Sequence, residues 1–143
     1  VIEWHRKGQV PLGHELADDE RCRLVCEDFF KLAADPALGF DPERPGRRFD
    51  AVLLDIDHST EHWLAPGNRA LYSIAGLRLL AAQLRDDGAF GLWSNDPPVD
   101  AFTDSLRAVF ADVDANVVSF PNPYTSQSST CTVYVARGPL ARP

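Results

Sequence analysis

Acidic and polar side chains stand at the carboxyl ends of three short apolar segments. They are Glu27 and Asp28 after segment 22–26, Asp55 and Asp57 at the end of segment 50–56, and Ser94, Asn95 and Asp96 after segment 89–93. A carboxylate in such a place can accept a hydrogen bond from a nucleoside, bind a cation or take a proton. Asp55 is the strongest candidate, because a carboxylate that completes a buried apolar strand costs free energy unless it is paired or used. Asp28 and Asp96 also suit the N-cap of a following helix.

The elements that must position these residues alternate between strands and helices. Strands are predicted at 22–26, 50–56, 89–93, 116–120 and 132–136, and helices near 1–7, over 28–34, from Ser73 to 84 and from Asp96 to about 110. Residues 35–48 predict a loop, Asp87 and Gly88 a turn, and 137–143 a frayed end. This alternation predicts an α/β fold with a parallel sheet, in which one of the last two strands is antiparallel because no helix separates them. Ligands bind beyond the carboxyl ends of such strands, so the acidic residues are expected at one edge.

The composition argues against several classes of function. The 143 residues, 45% hydrophobic and 24% charged, suit one globular domain. A formal net charge of −7 argues against a nucleic-acid partner, and no apolar run is long enough for a membrane span. The three Cys show no C-x-x-C spacing, which predicts free thiols in a reducing cytoplasm rather than disulfides or a zinc site.

Two histidines, His58 and His62, lie four residues apart beside Asp57. That spacing could place two metal ligands on one face of a helix. Pro66 and Gly67 follow closely and no third ligand is evident, so we interpret both histidines as solvated loop residues and predict no metal site.

Most of the chain resembles the class I S-adenosylmethionine-dependent methyltransferases, and above all the spermidine synthases. RFDAVLLDID resembles their fourth strand, and LYSIAGLRLLAAQLRDDGAFGLWS resembles the helix and fifth strand that follow. RLVCEDFF resembles the third strand with its acidic end, VIEWHRKG the helix after the second strand, and FPNPY with TVYVA the last connection and strand. The resemblance implies a Rossmann-like methyltransferase fold and a small-molecule acceptor substrate.

The same resemblance implies roles for five residues. Asp28 would contact the adenine amino group of S-adenosylmethionine or its decarboxylated form, and Phe29 would lie beside the adenine ring. Asp55 would align with the aspartate that helps to deprotonate the attacking amine, and Asp57 and Tyr72 are the substrate-binding candidates. The chain departs from the family in having Asp55-Ile56-Asp57 where spermidine synthases have D-x-x-D, so the acceptor stays open.

The chain also lacks parts that the family carries. It begins at Val1, contains no Met and has no glycine-rich loop of the kind that follows the family's first strand. We therefore expect residues 1–143 to form one partial domain, without the first βαβ unit and inactive by itself.

Two alternatives stay open. LLDIDHST resembles the first motif of haloacid dehalogenase-type phosphatases, in which Asp55 would be the nucleophile and Asp57 the acid/base beside a magnesium ion. That chemistry needs a later Lys, whereas Lys7 and Lys31 both precede the motif. The other alternative is a non-catalytic module that covers an exposed sheet edge with a partner, which could be a second copy in a homodimer.

Overall fold

The computed structural model of the chain describes residues 1–124 and 127–141. The helices are α1 (Ile2–Arg6), α2 (Gly13–Asp18), α3 (Phe29–Ala34), a 3₁₀ helix (Pro66–Tyr72), α4 (Ile74–Ala81) and α5 (Asp100–Arg107). The strands are β1 (Phe49–Leu54), β2 (Leu84–Ser94), β3 (Phe110–Asn122) and β4 (Gln127–Pro139). Every helix within these residues is too short or too polar to cross a membrane.

The four strands form one mixed sheet in the order β1-β2-β4-β3. β1 and β2 are parallel, whereas β4 is antiparallel to both β2 and β3. The predicted α/β class and the antiparallel strand near the end of the chain are therefore confirmed. The polar residues that follow β1 and β2 lie at the same edge of the sheet because these two strands run in the same direction.

The predicted strand at 22–26 is wrong. This segment contains no regular secondary structure, although helix α3 begins directly after Asp28 as predicted. A β-strand is stabilised by backbone hydrogen bonds to a neighbouring strand. No described segment pairs with residues 22–26. The segment is held instead by Arg23, whose guanidinium binds the carboxylates of Asp41 and Glu43. β1 is consequently the outermost strand on its side of the described sheet.

Several predicted boundaries shift in the structure. β1 ends at Leu54 rather than at 56, and the turn at Asp87 and Gly88 is an irregularity inside β2, where the register jumps between Leu84 and Ala89. β3 and β4 are much longer than predicted because they pair with each other along their whole length. The predicted frayed end is wrong for residues 137–139, which belong to β4, while 142–143 lie outside the described residues.

One face of the sheet carries the hydrophobic core. The core side chains come from alternate strand positions and from α4 and α5, and include Val52, Leu54, Phe90, Leu92, Tyr134, Ala136, Leu77, Leu80, Phe102 and Leu106. The opposite face is open: the side chain of Leu53 is 82% exposed and Trp93 is also exposed. Gly91 of β2 is the cross-strand partner of Leu53 in β1. A Cβ atom added at Gly91 would lie only 2.8 Å from the Leu53 Cδ2 atom.

The helix α4 is fixed at both ends. Ser73 caps its first turn by accepting a hydrogen bond from the Gly76 N–H at 3.1 Å, as predicted. After its last turn the buried Gln83 side chain accepts from Phe40 N at 3.0 Å and donates to the Leu32 and Ala33 carbonyls. These bonds tie α3 and the following loop to the sheet, and they hold the segment that carries Asp28 in place.

Candidate functional site

The loop between β1 and the 3₁₀ helix forms most of the carboxyl edge of the sheet. Asp55 is the first residue after β1, and its side chain is exposed. No hydrogen bond or ion pair to Asp55 occurs within the described residues. The predicted catalytic aspartate is therefore placed at the expected edge with both of its oxygens available to a ligand.

Asp57 has a different environment from Asp55 because its side chain is 96% buried, with only 4% exposed. Its Oδ1 atom accepts from Leu64 N at 2.7 Å and from Asn68 Nδ2 at 2.8 Å, and its Oδ2 atom accepts from the Tyr72 hydroxyl at 2.8 Å. Burial, followed by the hydrogen bond to the Asp57 carboxylate, raises the pKa of the Tyr72 hydroxyl, which stays protonated as the donor. The structure thus joins the two predicted substrate-binding residues to each other.

The hydrogen bonds to Asp57 argue against the phosphatase alternative, in which Asp57 would be the acid/base. An acid/base aspartate must exchange a proton with its substrate, which requires a carboxylate oxygen that is free to do so. Both oxygens of Asp57 already accept hydrogen bonds, from three donors in the loop and the 3₁₀ helix. Asp57 therefore suits a structural role in this loop better than proton transfer.

A histidine, a serine and an aspartate meet beside this loop. The His62 Nδ1 atom lies 2.7 Å from Asp96 Oδ2 and 3.1 Å from Ser59 Oγ. Ser59 Oγ also accepts hydrogen bonds from the backbone N–H groups of Glu61 and His62. Hydrogen bonds from Ser59 and then from His62 outweigh burial and hold the pKa of the Asp96 carboxyl below its usual range.

The loops after β1 and β2 are bound together at this cluster. Asn95 N donates to the His58 carbonyl at 2.9 Å, and the Asn95 amide lies 3.2 Å from His58 Nε2. Thr132 Oγ1 donates to the Asp96 carbonyl at 2.8 Å, which fixes the loop to β4 as well. The cluster is consequently mounted on three neighbouring strands of the sheet.

A cavity of about 490 Å³ opens beside the same loop, between the 3₁₀ helix and the start of α5. Its lining includes Thr60, Glu61, Trp63, Arg69 and Tyr72. The guanidinium of Arg69 lies over the Trp63 ring, 5.7 Å from its centroid. Thr60 Oγ1 is buried and has no hydrogen-bond partner among the described residues.

Asp28 and Phe29 lie at the start of α3, on a different segment from the histidine cluster. Asp28 Oδ1 accepts from Lys31 N at 3.2 Å as the helix cap, and its Oδ2 atom has no partner among the described residues. The Phe29 ring stacks on Phe40 with 5.1 Å between centroids. A groove of about 280 Å³ runs between Phe29, Glu27 and the open edge of β1.

A larger cavity, of about 710 Å³, lies away from these residues. It is lined by the start of β2 and the end of β4, together with Arg48, Arg78 and Asp86, which places it at the amino end of β1 and β2. Arg48 and Asp86 form an ion pair of 3.1 Å across it. Since ligands of α/β sheets bind at the carboxyl edge, we place the candidate site at the other end of the strands despite the smaller cavity there.

The sequence did not indicate that His62 and Asp96 form a pair. His62 was interpreted as a solvated loop residue, and its imidazole is indeed exposed, yet its Nδ1 atom is held by a carboxylate. The available signal was weak, because the two residues are separated by 34 positions and meet only through the parallel arrangement of β1 and β2.

Comparison of the chain with protein-family models gives no match, and comparison with curated proteins gives none either.

Proposed function

We propose that the chain takes part in group transfer from S-adenosylmethionine or its decarboxylated form to a small-molecule acceptor. In this proposal the adenine end of the cofactor lies beside Asp28 and Phe29, and the acceptor lies beside the loop after β1. The transferred group is a methyl or an aminopropyl group. The proposal concerns a methyltransferase-like or spermidine synthase-like transferase.

The order of the strands is the observation that carries the proposal. Class I methyltransferases arrange their sheet in the order 3-2-1-4-5-7-6, with the seventh strand antiparallel. β1, β2, β4 and β3 follow the order 4-5-7-6, and β4 is the antiparallel strand. The sequence segments that resemble the family's fourth and fifth strands are β1 and β2, so sequence and topology support the same alignment.

The residues around α3 fit the adenine end of such a cofactor. Asp28 Oδ2 can accept a hydrogen bond from an exocyclic amino group, since only Oδ1 is used by the helix cap. The neighbouring groove is lined mainly by apolar side chains, including Val25, Phe29 and Phe40, which suits a flat ring. The bound cofactor would supply a carbon activated toward nucleophiles by a sulfonium.

The loop after β1 has the charge to hold a cationic acceptor. Asp55 and Glu61 are both exposed and acidic, and they attract an ammonium group more than a neutral or anionic acceptor. Asp55 is the residue that faces the acceptor most openly, because no described residue occupies its oxygens. We therefore favour an amine as the acceptor and keep Asp55 as a catalytic residue.

The cellular compartment and the partners of the chain are also part of the proposal. All three cysteines, Cys22, Cys26 and Cys131, are free thiols, which favours a reducing cytoplasm. The acidic net charge favours a small cationic substrate over nucleic acid. Homodimerisation through the open face or the outer edge of β1 is compatible with the exposed apolar side chains there.

Calorimetric titration of the full-length gene product tests the proposal. S-adenosylhomocysteine and methylthioadenosine are the products of methyl and aminopropyl transfer, so the tighter ligand identifies the transferred group. Asp28→Ser keeps a helix-capping hydroxyl and removes the carboxylate, and we expect it to weaken binding about tenfold, which corresponds to about 1.4 kcal/mol. Asp18→Ser, at an exposed position on α2, is the matched control and should bind as the wild type does. Absence of binding for both ligands would contradict the proposal.

A further inference from the structure

We propose that His62, rather than Asp55, is the general base that removes a proton from the acceptor, that Asp55 binds the acceptor's ammonium group, and that Asp96 and Ser59 position the His62 imidazole. The inference rests on the proposed function, because the acceptor is the substrate of that group transfer. It assigns a role to a pair of side chains, His62 and Asp96, whose contact the sequence did not indicate.

The hydrogen bonds around His62 determine which nitrogen can act as the base. An ionised carboxylate only accepts hydrogen bonds, so the short contact of 2.7 Å to Asp96 Oδ2 requires that Nδ1 carry the proton. In a neutral imidazole the other nitrogen, Nε2, then holds a lone pair. The arrangement therefore presents a basic nitrogen on the side of the ring opposite Asp96.

Ser59 also contacts the His62 imidazole. The Ser59 Oγ atom accepts hydrogen bonds from the backbone N–H groups of Glu61 and His62 and lies 3.1 Å from His62 Nδ1, so it holds the ring at Asp96. The hydrogen bond from His62 Nδ1 to Asp96 Oδ2 favours the ionised form of Asp96. The carboxylate thus stays an acceptor, and the Nδ1–H form of His62 is maintained.

The imidazole is placed to reach a substrate. Its side chain is 67% exposed, and Nε2 makes no hydrogen bond within the described part of the chain. It belongs to the same short loop as Asp55 and Glu61, the two exposed carboxylates that attract a cationic acceptor. The supporting Asp96 backbone is anchored to β4 through Thr132, so the base is held on the sheet rather than on a free loop.

The proton transfer balances with the group transfer. An ammonium acceptor gives one proton to His62 Nε2, which becomes imidazolium, and the nitrogen keeps the electron pair of its N–H bond. That pair forms the new N–C bond to the transferred group, while the electrons of the C–S bond go to the sulfur. The sulfonium charge is lost and the product amine carries a positive charge, so the total charge is unchanged.

The tautomer of His62 is a direct readout that needs no cofactor. Long-range ¹H–¹⁵N correlation spectra at about pH 8, where ordinary imidazoles are neutral, distinguish Nδ1–H from Nε2–H. We expect His62 to show the Nδ1–H form, with its signals assigned by their loss in His62→Gln. Asp96→Asn should remove this fixed preference, and an Nε2–H form in the wild type would overturn the inference.

Transfer assays on the full-length gene product complete the test. His62→Gln should lower the transfer rate by about 10²- to 10⁴-fold while S-adenosylhomocysteine or methylthioadenosine binds as before. His14→Gln is the matched control, since that exposed histidine lies on α2 and not in the loop after β1, and it should retain activity within about threefold. If the His62→Gln variant transfers the group at a rate within about threefold of the wild type, the role of His62 as the base is overturned and the proposed function is not. A wild type that neither binds these nucleosides nor transfers would overturn the proposed function itself.

Discussion

Asp55 and Asp57 stand two positions apart, and the fold gives them opposite environments. Asp57 is buried and accepts three hydrogen bonds that close the loop from β1 to the 3₁₀ helix, whereas Asp55 is exposed and without a partner among the described residues. A buried carboxylate is tolerated because its donors replace the water that it loses. At the scale of single residues, Asp57 therefore stabilises the loop, and Asp55 is available to bind a substrate.

Substitution of these two aspartates should separate folding from function. Asp57→Ala leaves three donors without their acceptor and should cost about 3–5 kcal/mol of unfolding free energy, while Tyr72→Phe removes a single donor and should cost about 1.5–3 kcal/mol. Asp55→Ala, at the exposed position, should change stability by no more than about 0.5 kcal/mol. Urea unfolding followed by circular dichroism measures all three, and a destabilised Asp55→Ala would show that this aspartate also serves the fold.

The carboxylate of Asp41 should make the stability of the fold decrease in acid. Burial raises its pKa, but the hydrogen bond from Arg47 and the charge of Arg23 outweigh burial and hold the pKa of the carboxyl below its usual range. A carboxyl with a lowered pKa stabilises the fold fully above about pH 4 and loses that contribution as the pH falls through the lowered value. Acid should therefore weaken the anchoring of segment 22–26.

Comparing urea midpoints at pH 7 and pH 3 measures this contribution. Asp41→Asn should lower the midpoint at pH 7 and should lose less on acidification than the wild type does. Asp50→Asn is the control, because Asp50 forms an exposed ion pair with Arg85 that is worth little. Equal acid sensitivity of Asp41→Asn and the wild type would refute the role given to Asp41.

At the scale of elements, the 3₁₀ helix and α4 approach each other closely enough to exclude a side chain. An added Cβ at Gly76 would lie 2.7 Å from Leu71 Cα and would also collide with the Ala70 carbonyl. These are backbone atoms, so they cannot move aside as the end of a flexible side chain would. The close approach sets the position of Tyr72 and, through its hydroxyl, of Asp57.

Gly76→Ala should accordingly destabilise the chain by more than about 2 kcal/mol, because overpacking against backbone forces the two elements apart. Gly67→Ala is a matched control within the same 3₁₀ helix, since nothing lies within 4 Å of a Cβ at that position. We expect Gly67→Ala to be neutral or slightly stabilising through its effect on the unfolded chain. Thermal unfolding of both variants checks the pair, and equal melting temperatures would contradict the packing argument.

Local sequence signals predicted the elements whose causes are local. The Ser73 cap, the apolar face of α4 and the apolar runs that form β1 and β2 are all properties of neighbouring residues, and each is found where expected, although Leu53 of β1 is exposed. The segment 22–26 has the composition of a strand, but strand formation depends on a partner that composition cannot supply. The predicted turn at Asp87 and Gly88 is wrong, because both residues lie within β2, where the register with β1 shifts.

The candidate site was predictable only in part for the same reason. Asp55 and Asp28 could be placed because each ends an apolar segment, and parallel strands bring such ends to one edge. The pairing of His62 with Asp96 joins two loops 34 residues apart, and only the three-dimensional arrangement reveals it. The burial of Asp57 likewise depends on donors from Leu64 in the following loop and from Asn68 and Tyr72 in the 3₁₀ helix.

At the scale of the whole molecule, the sheet is covered by helices on one face and open on the other. Leu53 and Trp93 are exposed on the open face, and β1 has no neighbour beyond its outer edge among the described strands. Parallel strands are usually covered on both faces. The His62–Asp96 pair and the buried Asp57 nevertheless lie at one end of this sheet, where the loops after β1 and β2 meet.

Amide chemical-shift mapping with S-adenosylhomocysteine and methylthioadenosine on the full-length gene product tests the central claim most directly. The proposed group transfer predicts that the shifted amides cluster at Glu27–Phe29 and in the loop from Asp55 to His62, at the carboxyl edge of the sheet. The amides that line the cavity at the opposite edge, near Arg48 and Asp86, should stay unchanged. Shifts confined to that opposite cavity, or no shifts with either nucleoside, would contradict the account.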